Sequence, residues 1–158
     1  MLSKYGMDDC KPISMPLDVN VKLSAHAGDA LENVTMYRKI VGNLIYLTIT
    51  RPDLSYIVGL QSQFMQAPKK PHLDVVRRTL CYVRATLDFV LFYAVGVPVE
   101  LYGYTDADWA GSIMDRGSTS GFMFSLGSAA ITWSSKKQPM VALSSTEAEY
   151  RGAAIATC

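Results

Sequence analysis

Residues 121–135 read GFMFSLGSAAITWSS and decide the fold class, because two apolar runs flank the dipeptide Gly127-Ser128. Runs of aromatic and β-branched residues on either side of a short glycine-containing turn are typical of a β-hairpin. We therefore predict two antiparallel strands, over 121–126 and 129–135.

Two more strands are predicted just upstream of this hairpin. Residues 89–93 are aromatic and β-branched, and the Gly-Val-Pro turn signal at 96–98 precedes a further strand-like run at 99–106. Downstream of the hairpin, the run SSTEAEY at 144–150 predicts the start of a helix. The carboxyl-terminal part of the chain is thus predicted to be a sheet followed by a helix.

The preceding part of the chain has helical periodicity. Apolar residues recur at helical spacing from Met36 until Arg51-Pro52 supplies a stop signal, and a second helix is predicted over 52–66 with proline in its first turn. A third helix over 73–87 presents one apolar stripe. The region before the sheet is therefore predicted to be helical.

Residues 1–35 contain scattered proline and glycine without a sustained period, which predicts an extended connector that packs weakly. We expect three regions: an extended linker at 1–35, a helical region at 36–96 and a sheet domain at 97–158. The fold class that follows is mixed α/β, more narrowly α+β.

Composition restricts the class of protein. The chain has 158 residues, 49% of them hydrophobic and 18% charged, with a formal net charge of +1, so a strong overall positive field is excluded. Its three cysteines, Cys10, Cys81 and Cys158, lack zinc or disulfide-framework spacing. With no signal-peptide pattern and no apolar run of membrane-spanning length, we expect a cytoplasmic or nuclear protein in a reducing compartment, without membrane contact.

Two acidic motifs carry the candidate chemistry. TDADWAG at 105–111 lies at the end of a predicted strand, and SSTEAEY at 144–150 opens the predicted helix. Carboxylates on a strand and on a helix packed against the same sheet can converge, and such clusters bind pairs of Mg²⁺ that clamp the two reacting oxygens of a phosphodiester. Two carboxylates alone are rarely enough for that reaction.

The motifs and their surroundings resemble a known family. Residues 103–154, GYTDADWAGS through STEAEYRGAA, resemble the first half of the ribonuclease H domain of copia-type LTR retrotransposon Pol polyproteins. Residues 37–72, which begin YRKIVGNLIYL, resemble the helical region that links reverse transcriptase to that domain, and KYGMDDCKPISMPLD at 4–18 fits upstream. Several independent segments in the family's order are more specific than one short motif.

The resemblance implies an RNase H-like fold in which three antiparallel strands lead into a helix, with Mg²⁺ as cofactor and an RNA/DNA hybrid as substrate. Asp106 matches the family's first metal-binding aspartate, and Glu149 is the preferred glutamate, so both are expected to be catalytic and metal-binding. Glu147 is the alternative, because Ser144 with Glu147 fits a capping box, although Thr146 with Glu149 would fit one as well. Asp108 is either a neighbour that supports the site or a turn residue.

The resemblance also implies later acidic ligands, beginning with a Cys-Asp-Asn strand beyond Cys158. The polymerase motif Tyr-x-Asp-Asp is absent too, because Gly6 stands two positions before the Asp8-Asp9 pair, where the motif has tyrosine. We therefore expect a catalytically inactive fragment with an open sheet that could self-associate. The alternatives are a stand-alone interaction module or effector-like protein without catalysis, and an enzyme completed by carboxylates of a partner chain.

Six basic residues are candidates for contacts with nucleic-acid phosphates: Lys69, Lys70, Arg77, Arg78, Lys136 and Lys137. The competing interpretation is a solvated helix face for the first four and protection of a sheet edge for the last two. The two histidines, His26 and His72, have no Cys or His at ligand spacing and are expected on the surface.

Overall fold

A computed structural model describes residues 1–18 and 20–158 of the chain. The chain divides into two compact units, Met1–Phe89 and Val90–Cys158. The first unit is helical and the second contains the sheet. Together they confirm a mixed α/β fold class.

The helical unit contains three α-helices among its described residues: α1 (Val34–Leu47), α2 (Ser55–Ser62) and α3 (Lys70–Ala85). Short 3-10 turns at Ser3–Tyr5 and Pro52–Leu54 complete its regular structure. The Asn33 side chain caps α1 by accepting the Met36 N–H at 2.8 Å. The three predicted helices are confirmed, although the second ends earlier than predicted.

The core of the helical unit consists of large apolar side chains from all three helices. The fully enclosed ones include Tyr37 and Leu44 of α1, Ile57 of α2 and Leu80 of α3. Some polar groups inside this core are paired: the Tyr37 hydroxyl donates to the backbone carbonyl of Gln61 at 2.8 Å, whereas the side-chain oxygen of Gln61 has no partner among the described residues. Burial raises the pKa of Tyr37. Hydrophobic burial with satisfied polar groups is what stabilises a small helical unit.

Two expectations for this unit are wrong. Residues 1–35 have little regular structure, as expected, but Leu23 is buried and Leu2, Ile13 and Leu17 pack against the helical core. His72 is not on the surface: it is buried, stacks on Phe64 with ring centroids 3.9 Å apart and accepts the Lys69 N–H at 2.9 Å. Burial lowers the pKa of His72, which favours the neutral ring.

The sheet unit contains three antiparallel strands in the order β1 (Leu101–Ala107), β2 (Thr119–Leu126) and β3 (Ala129–Lys137). The predicted hairpin is confirmed, and Gly127 at its turn has a φ of 57°, a conformation that glycine adopts without a steric cost. Helix α4 (Ser145–Thr157) follows and packs on β1 and β2.

The strand predicted at 89–93 is wrong, because these residues have no regular structure. Their apolar side chains find no strand partner in the described unit, and Phe92 is 73% exposed. Strand propensity is realised only against a paired neighbour. The segment is instead attached by single contacts, in which the Tyr93 hydroxyl donates to the Ala130 carbonyl at 3.2 Å and the Ala94 N–H to Ser128 Oγ at 2.8 Å.

Among the described residues, no helix has both the length and the apolar character needed to cross a bilayer.

Candidate carboxylate site

Asp106 lies near the end of β1, directly opposite Gly121 of β2 in the antiparallel register. It is exposed, and it has no hydrogen-bond or ion-pair partner within the described part of the chain. Because Gly121 has no side chain, nothing on the neighbouring strand covers the position opposite this carboxylate. The Asp106 oxygens are therefore accessible to a cation from solvent.

The two glutamates of α4 have different surroundings. Ser144 caps the helix by accepting the Glu147 N–H at 3.1 Å, and Glu147 accepts the Leu143 N–H at 2.7 Å and is bound by Arg151 at 2.7 Å. The Leu143 N–H and then Arg151 hold the pKa of Glu147 below its usual value. Ser144 is the predicted N-cap, but the predicted capping box is only half formed, because the Glu147 carboxylate accepts the N–H of Leu143 and not that of Ser144.

Glu149 is exposed and, within residues 1–18 and 20–158, has no hydrogen-bond or ion-pair partner. The alternative capping box of Thr146 with Glu149 is not formed among these residues. The oxygens of Glu149 are thus available to a ligand, whereas those of Glu147 are engaged at the start of α4. The sequence favoured the same assignment of the two glutamates.

Small buried residues hold α4 close to β1. Ala107 and Ala148, the chain neighbours of Asp106 and Glu149, are buried in one cluster with Ala142. A Cβ built on Gly152 would lie 3.5 Å from the Ala107 Cβ and 3.3 Å from Ser120 Oγ, so the helix lies close enough to the sheet to leave room for a methyl group but not for a larger side chain. This packing fixes the positions of the two acidic motifs on adjoining elements.

Two side chains that sequence reasoning missed tie α4 and its preceding loop to the sheet. The buried Gln138 donates to Ser120 Oγ at 2.7 Å and to the Ala148 carbonyl at 2.9 Å. The Trp109 indole N–H donates to the Ala142 carbonyl at 3.0 Å. No sequence signal distinguishes such a glutamine or tryptophan from a surface residue, because both roles depend on long-range packing.

Asp108 supports the backbone after β1. Its N–H donates to the Thr119 carbonyl at 3.1 Å, and its carboxylate accepts the Thr119 N–H in return. A Cβ on Gly111 would lie 2.1 Å from Asp108 Oδ2, so a side chain there would displace the Asp108 carboxylate from its present position. Asp108 therefore uses its carboxylate in the turn.

Within the described residues, no group of three or more Asp, Glu, His or Cys side chains is arranged to hold a metal ion. Asp106 and Glu149 are thus a candidate pair and not a complete cluster of ligands.

Three of the six candidate basic residues form local ion pairs among the described residues. Lys70 binds Asp29 at 3.0 Å, Arg77 lies 3.7 Å from Asp74, and Lys137 binds Asp115 at 2.6 Å. The Lys137 hydrogen bond is the main reason that the pKa of Asp115 falls to about 2.

Of the remaining basic candidates, Lys69 precedes α3 and Arg78 lies within it, with its Nε buried and unpaired. Lys136, on β3, is exposed and has no partner among the described residues. Four of the six candidates belong to the helical unit and two, Lys136 and Lys137, to the sheet unit.

Comparison with known proteins supplies the context for this site. No family model and no solved structure matches the chain. The chain is 46% identical over 98% of its length to the "Retrovirus-related Pol polyprotein from transposon RE2" of Arabidopsis thaliana, and 41% identical over 95% to the corresponding "transposon TNT 1-94" protein of Nicotiana tabacum. It spans about a tenth of these relatives, 11% and 12% of their lengths.

A shorter relative is matched over most of its own length. The "Secreted RxLR effector protein 161" of Plasmopara viticola is 44% identical over 77% of the chain, and the match covers 86% of that protein.

Proposed function

The chain belongs to the family of copia-type retrotransposon Pol polyproteins, and we propose that it is the part that joins reverse transcriptase to ribonuclease H. In this proposal Asp106 and Glu149 are the first two Mg²⁺ ligands of an RNase H-type site that acts on RNA/DNA hybrids. The chain by itself binds the metal weakly and does not hydrolyse the hybrid.

One observation supports this proposal above the others: β1, β2 and β3 lead into a helix that packs closely on β1, and each of the two touching elements carries one unpartnered exposed carboxylate. Neither carboxylate makes a hydrogen bond or ion pair that would explain it as part of the fold among the described residues. Because β1 and α4 are in contact, we propose that the two acidic motifs share a cation.

The donor chemistry fits Mg²⁺, which prefers carboxylate and water oxygens. Bound Mg²⁺ would supply charge stabilisation to a phosphodiester and lower the pKa of a coordinated water. Asp106 and Glu149 would hold the ion from the sheet side and the helix side, while Ala107 and Ala148 fix their backbones. Two Mg²⁺ ions positioned for in-line displacement need more protein oxygens than these two carboxylates provide. For this reason we propose that the chain does not hydrolyse the hybrid.

The proposed nucleic-acid contact uses the exposed Lys136 on β3 and, more weakly, the paired Lys70, Arg77 and Lys137. Lys69 and Arg78 complete the candidate set. Phosphate contacts made by lysine and arginine weaken steeply as salt rises. A hybrid-binding constant that falls by less than about twofold between low and physiological salt would contradict these contacts.

A second candidate is an interaction module without catalysis. It is favoured by the outer edge of β1, which has no strand partner in the described sheet, and by exposed apolar side chains such as Leu101 and Leu143. Unpaired edges and apolar patches favour association, including self-association. The similarity to the secreted RxLR effector protein of Plasmopara viticola also supports this candidate function. Sedimentation velocity over a hundredfold range of protein concentration would distinguish a self-associating module from a monomer.

The test of the proposed function uses the purified chain and a hybrid labelled on its RNA strand, with Mg²⁺ or Mn²⁺. We expect no cleavage above the metal-only background, and no difference between the chain, Asp106→Asn and the control Asp88→Asn, whose aspartate is exposed in the helical unit. Cleavage that Asp106→Asn abolishes and Asp88→Asn preserves would contradict the inactive state.

A further inference from the structure

Gln138, the residue that follows β3, is buried where α4 meets the sheet, and only 5% of its surface is exposed. Its side-chain amide donates to the backbone carbonyl of Ala148 at 2.9 Å and to Ser120 Oγ at 2.7 Å. A backbone carbonyl can only accept, so the nitrogen of the amide must be the atom that faces Ala148. One buried amide group thus joins the first turn of α4 to β2.

The two acceptors of this amide lie next to the two candidate metal ligands. The Ala148 carbonyl belongs to the same peptide group as the Glu149 N–H. Ser120 lies opposite Ala107 in the register of β1 and β2, and Ala107 directly follows Asp106. The amide nitrogen is therefore bonded both to the peptide group that carries Glu149 and to the strand pair that carries Asp106.

We propose that Gln138 is a positioning residue for the cation site of Asp106 and Glu149, which sets the separation of the two carboxylates without binding the metal. This inference rests on the proposed function, because it needs the two carboxylates to share a cation. Groups that orient metal ligands without touching the ion commonly change the affinity for the metal by about 10–100-fold.

The sheet holds Gln138 itself in place. Its backbone N–H donates to the Ser118 carbonyl at 2.8 Å, which extends the pairing of β2 with β3 by one residue. Its side-chain oxygen has no partner among the described residues, so the amide nitrogen is the part of this side chain that connects helix and sheet. Methionine has a similar shape and cannot donate, so Gln138→Met would remove the connection and keep the volume filled.

Apolar packing alone constrains the separation of α4 from β1 weakly. The buried residues at this contact are the alanines Ala107, Ala142 and Ala148, and Gly152 adds no side chain. Such small residues let the helix approach, but they have no long side chains that interlock and prevent sliding. Hydrogen bonds are directional, so the amide of Gln138 opposes the sliding and rotation that the alanine contacts permit.

The test titrates Mn²⁺, which broadens nearby amide resonances, into the isotope-labelled chain and into Gln138→Met. In the unsubstituted chain, the Asp106 and Glu149 resonances should broaden at one common Mn²⁺ concentration. In Gln138→Met, this concentration should rise by about 10-fold or more, and the two resonances should no longer respond together. Without metal, the carbonyl carbon resonance of Ala148 should move, because that carbonyl loses the hydrogen bond from the amide.

The matched control is Ser128→Ala, which removes a side-chain hydrogen bond of the same unit. Ser128 Oγ accepts the Ala94 N–H at 2.8 Å, at the end of the sheet away from Ser120. This control should change neither the Ala148 resonance nor the Mn²⁺ concentration. If Gln138→Met unfolds α4, Ser120→Ala takes its place: it removes the β2 acceptor alone and should raise the Mn²⁺ concentration by a smaller factor.

Two different results would overturn two different claims. If the unsubstituted chain shows no common broadening of Asp106 and Glu149, the shared cation of the proposed function is wrong, and the positioning role is wrong with it. If common broadening occurs and the folded variant, Gln138→Met or Ser120→Ala, keeps the same Mn²⁺ concentration, only the positioning role is wrong. An equal rise in Ser128→Ala would also overturn it, because the effect would then be a general loss of stability.

Discussion

The helical unit and the sheet unit bury their residues in different ways. In the helical unit, large side chains such as Tyr37, Leu44 and Leu80 are completely enclosed. In the described part of the sheet unit, the buried hydrophobic residues are all alanines: Ala107, Ala110, Ala129, Ala142 and Ala148. The same unit leaves Tyr104 60% and Leu143 86% exposed. The helical unit is thus held by its core, and the sheet unit by its strand ladder and a few polar contacts.

The two units therefore differ in how much free energy apolar burial contributes to their stability. Burial of one large apolar side chain stabilises a fold by about 1.5–3 kcal/mol, and an alanine contributes much less. Close contact with little burial, as between Ala107 and Gly152, positions the acidic motifs without adding much stability. The contrast predicts that substitutions act through lost burial in one unit and through steric conflict in the other.

The largest effect is expected from Leu44→Ala in α1. This side chain is fully buried, so its truncation leaves a cavity and should lower the free energy of unfolding of the helical unit by about 2–5 kcal/mol. Urea denaturation followed by amide exchange in α1 and α3 measures the loss. The control is Ile45→Ala on the same helix, where the side chain is 44% exposed and a change within about 0.5 kcal/mol is expected. Equal losses in the free energy of unfolding for both variants would contradict a helical unit stabilised by its buried core.

The next effect is expected from Gly152→Leu in α4. A side chain here meets Ala107 and Ser120, so overpacking should destabilise the contact of α4 with the sheet by about 1–3 kcal/mol. Faster amide exchange in β1 and β2 would record the loss. Gly152→Ala is the matched variant: its helix propensity gain of about 1 kcal/mol offsets the 3.3 Å approach to Ser120 Oγ, so little net change is expected. A leucine tolerated as well as the alanine would refute the close approach.

The smallest effect concerns the ion pair of Asp115 with Lys137 in the sheet unit. Lys137, followed by Ser112 and the Gly117 N–H, lowers the pKa of Asp115 from 3.8 to about 2 in the folded chain. The pair therefore stabilises the fold above pH 3.8, and its contribution disappears as the pH falls toward 2. Because Asp115 is largely exposed, screening should keep the contribution below about 1 kcal/mol.

Asp115→Asn should accordingly reduce the unfolding free energy at pH 6 and make no difference near pH 2. Acid titrations followed by circular dichroism provide the comparison. Asp74→Asn, whose aspartate lies 3.7 Å from Arg77 in the helical unit, should change stability less at either pH. A larger loss at pH 2 than at pH 6 would reverse the expected sign.

Local signals explain what the sequence predicted well. The hairpin around Gly127 and the three helices of the first unit follow from turn chemistry and periodicity, which depend on neighbouring residues. The segment at 89–93 has the composition of a strand but no partner, and composition cannot reveal that. The burial of His72 depends on contacts between distant parts of the chain, among them its hydrogen-bond distance of 3.1 Å to the Ser24 carbonyl.

In the candidate site, too, some residues were predicted from local sequence signals and others depend on long-range contacts. The acidic motifs identified the elements that carry Asp106 and Glu149, and the cap signal of Ser144 predicted the start of α4, where Ser144 accepts the Glu147 N–H. The residues that hold the site together, Gln138 and Trp109, carried no signal. Their donors find acceptors only after α4 has packed on the sheet.

The most direct test of the account asks whether Asp106 and Glu149 share one cation. Mn²⁺, a paramagnetic substitute for Mg²⁺, would be titrated into the isotope-labelled chain while amide resonances are recorded. We predict that the Asp106 and Glu149 resonances broaden together at the same Mn²⁺ concentration, that Asp106→Asn removes the effect at both positions, and that Asp88→Asn leaves it unchanged. Broadening at one position that persists after the other carboxylate is removed would contradict a shared site.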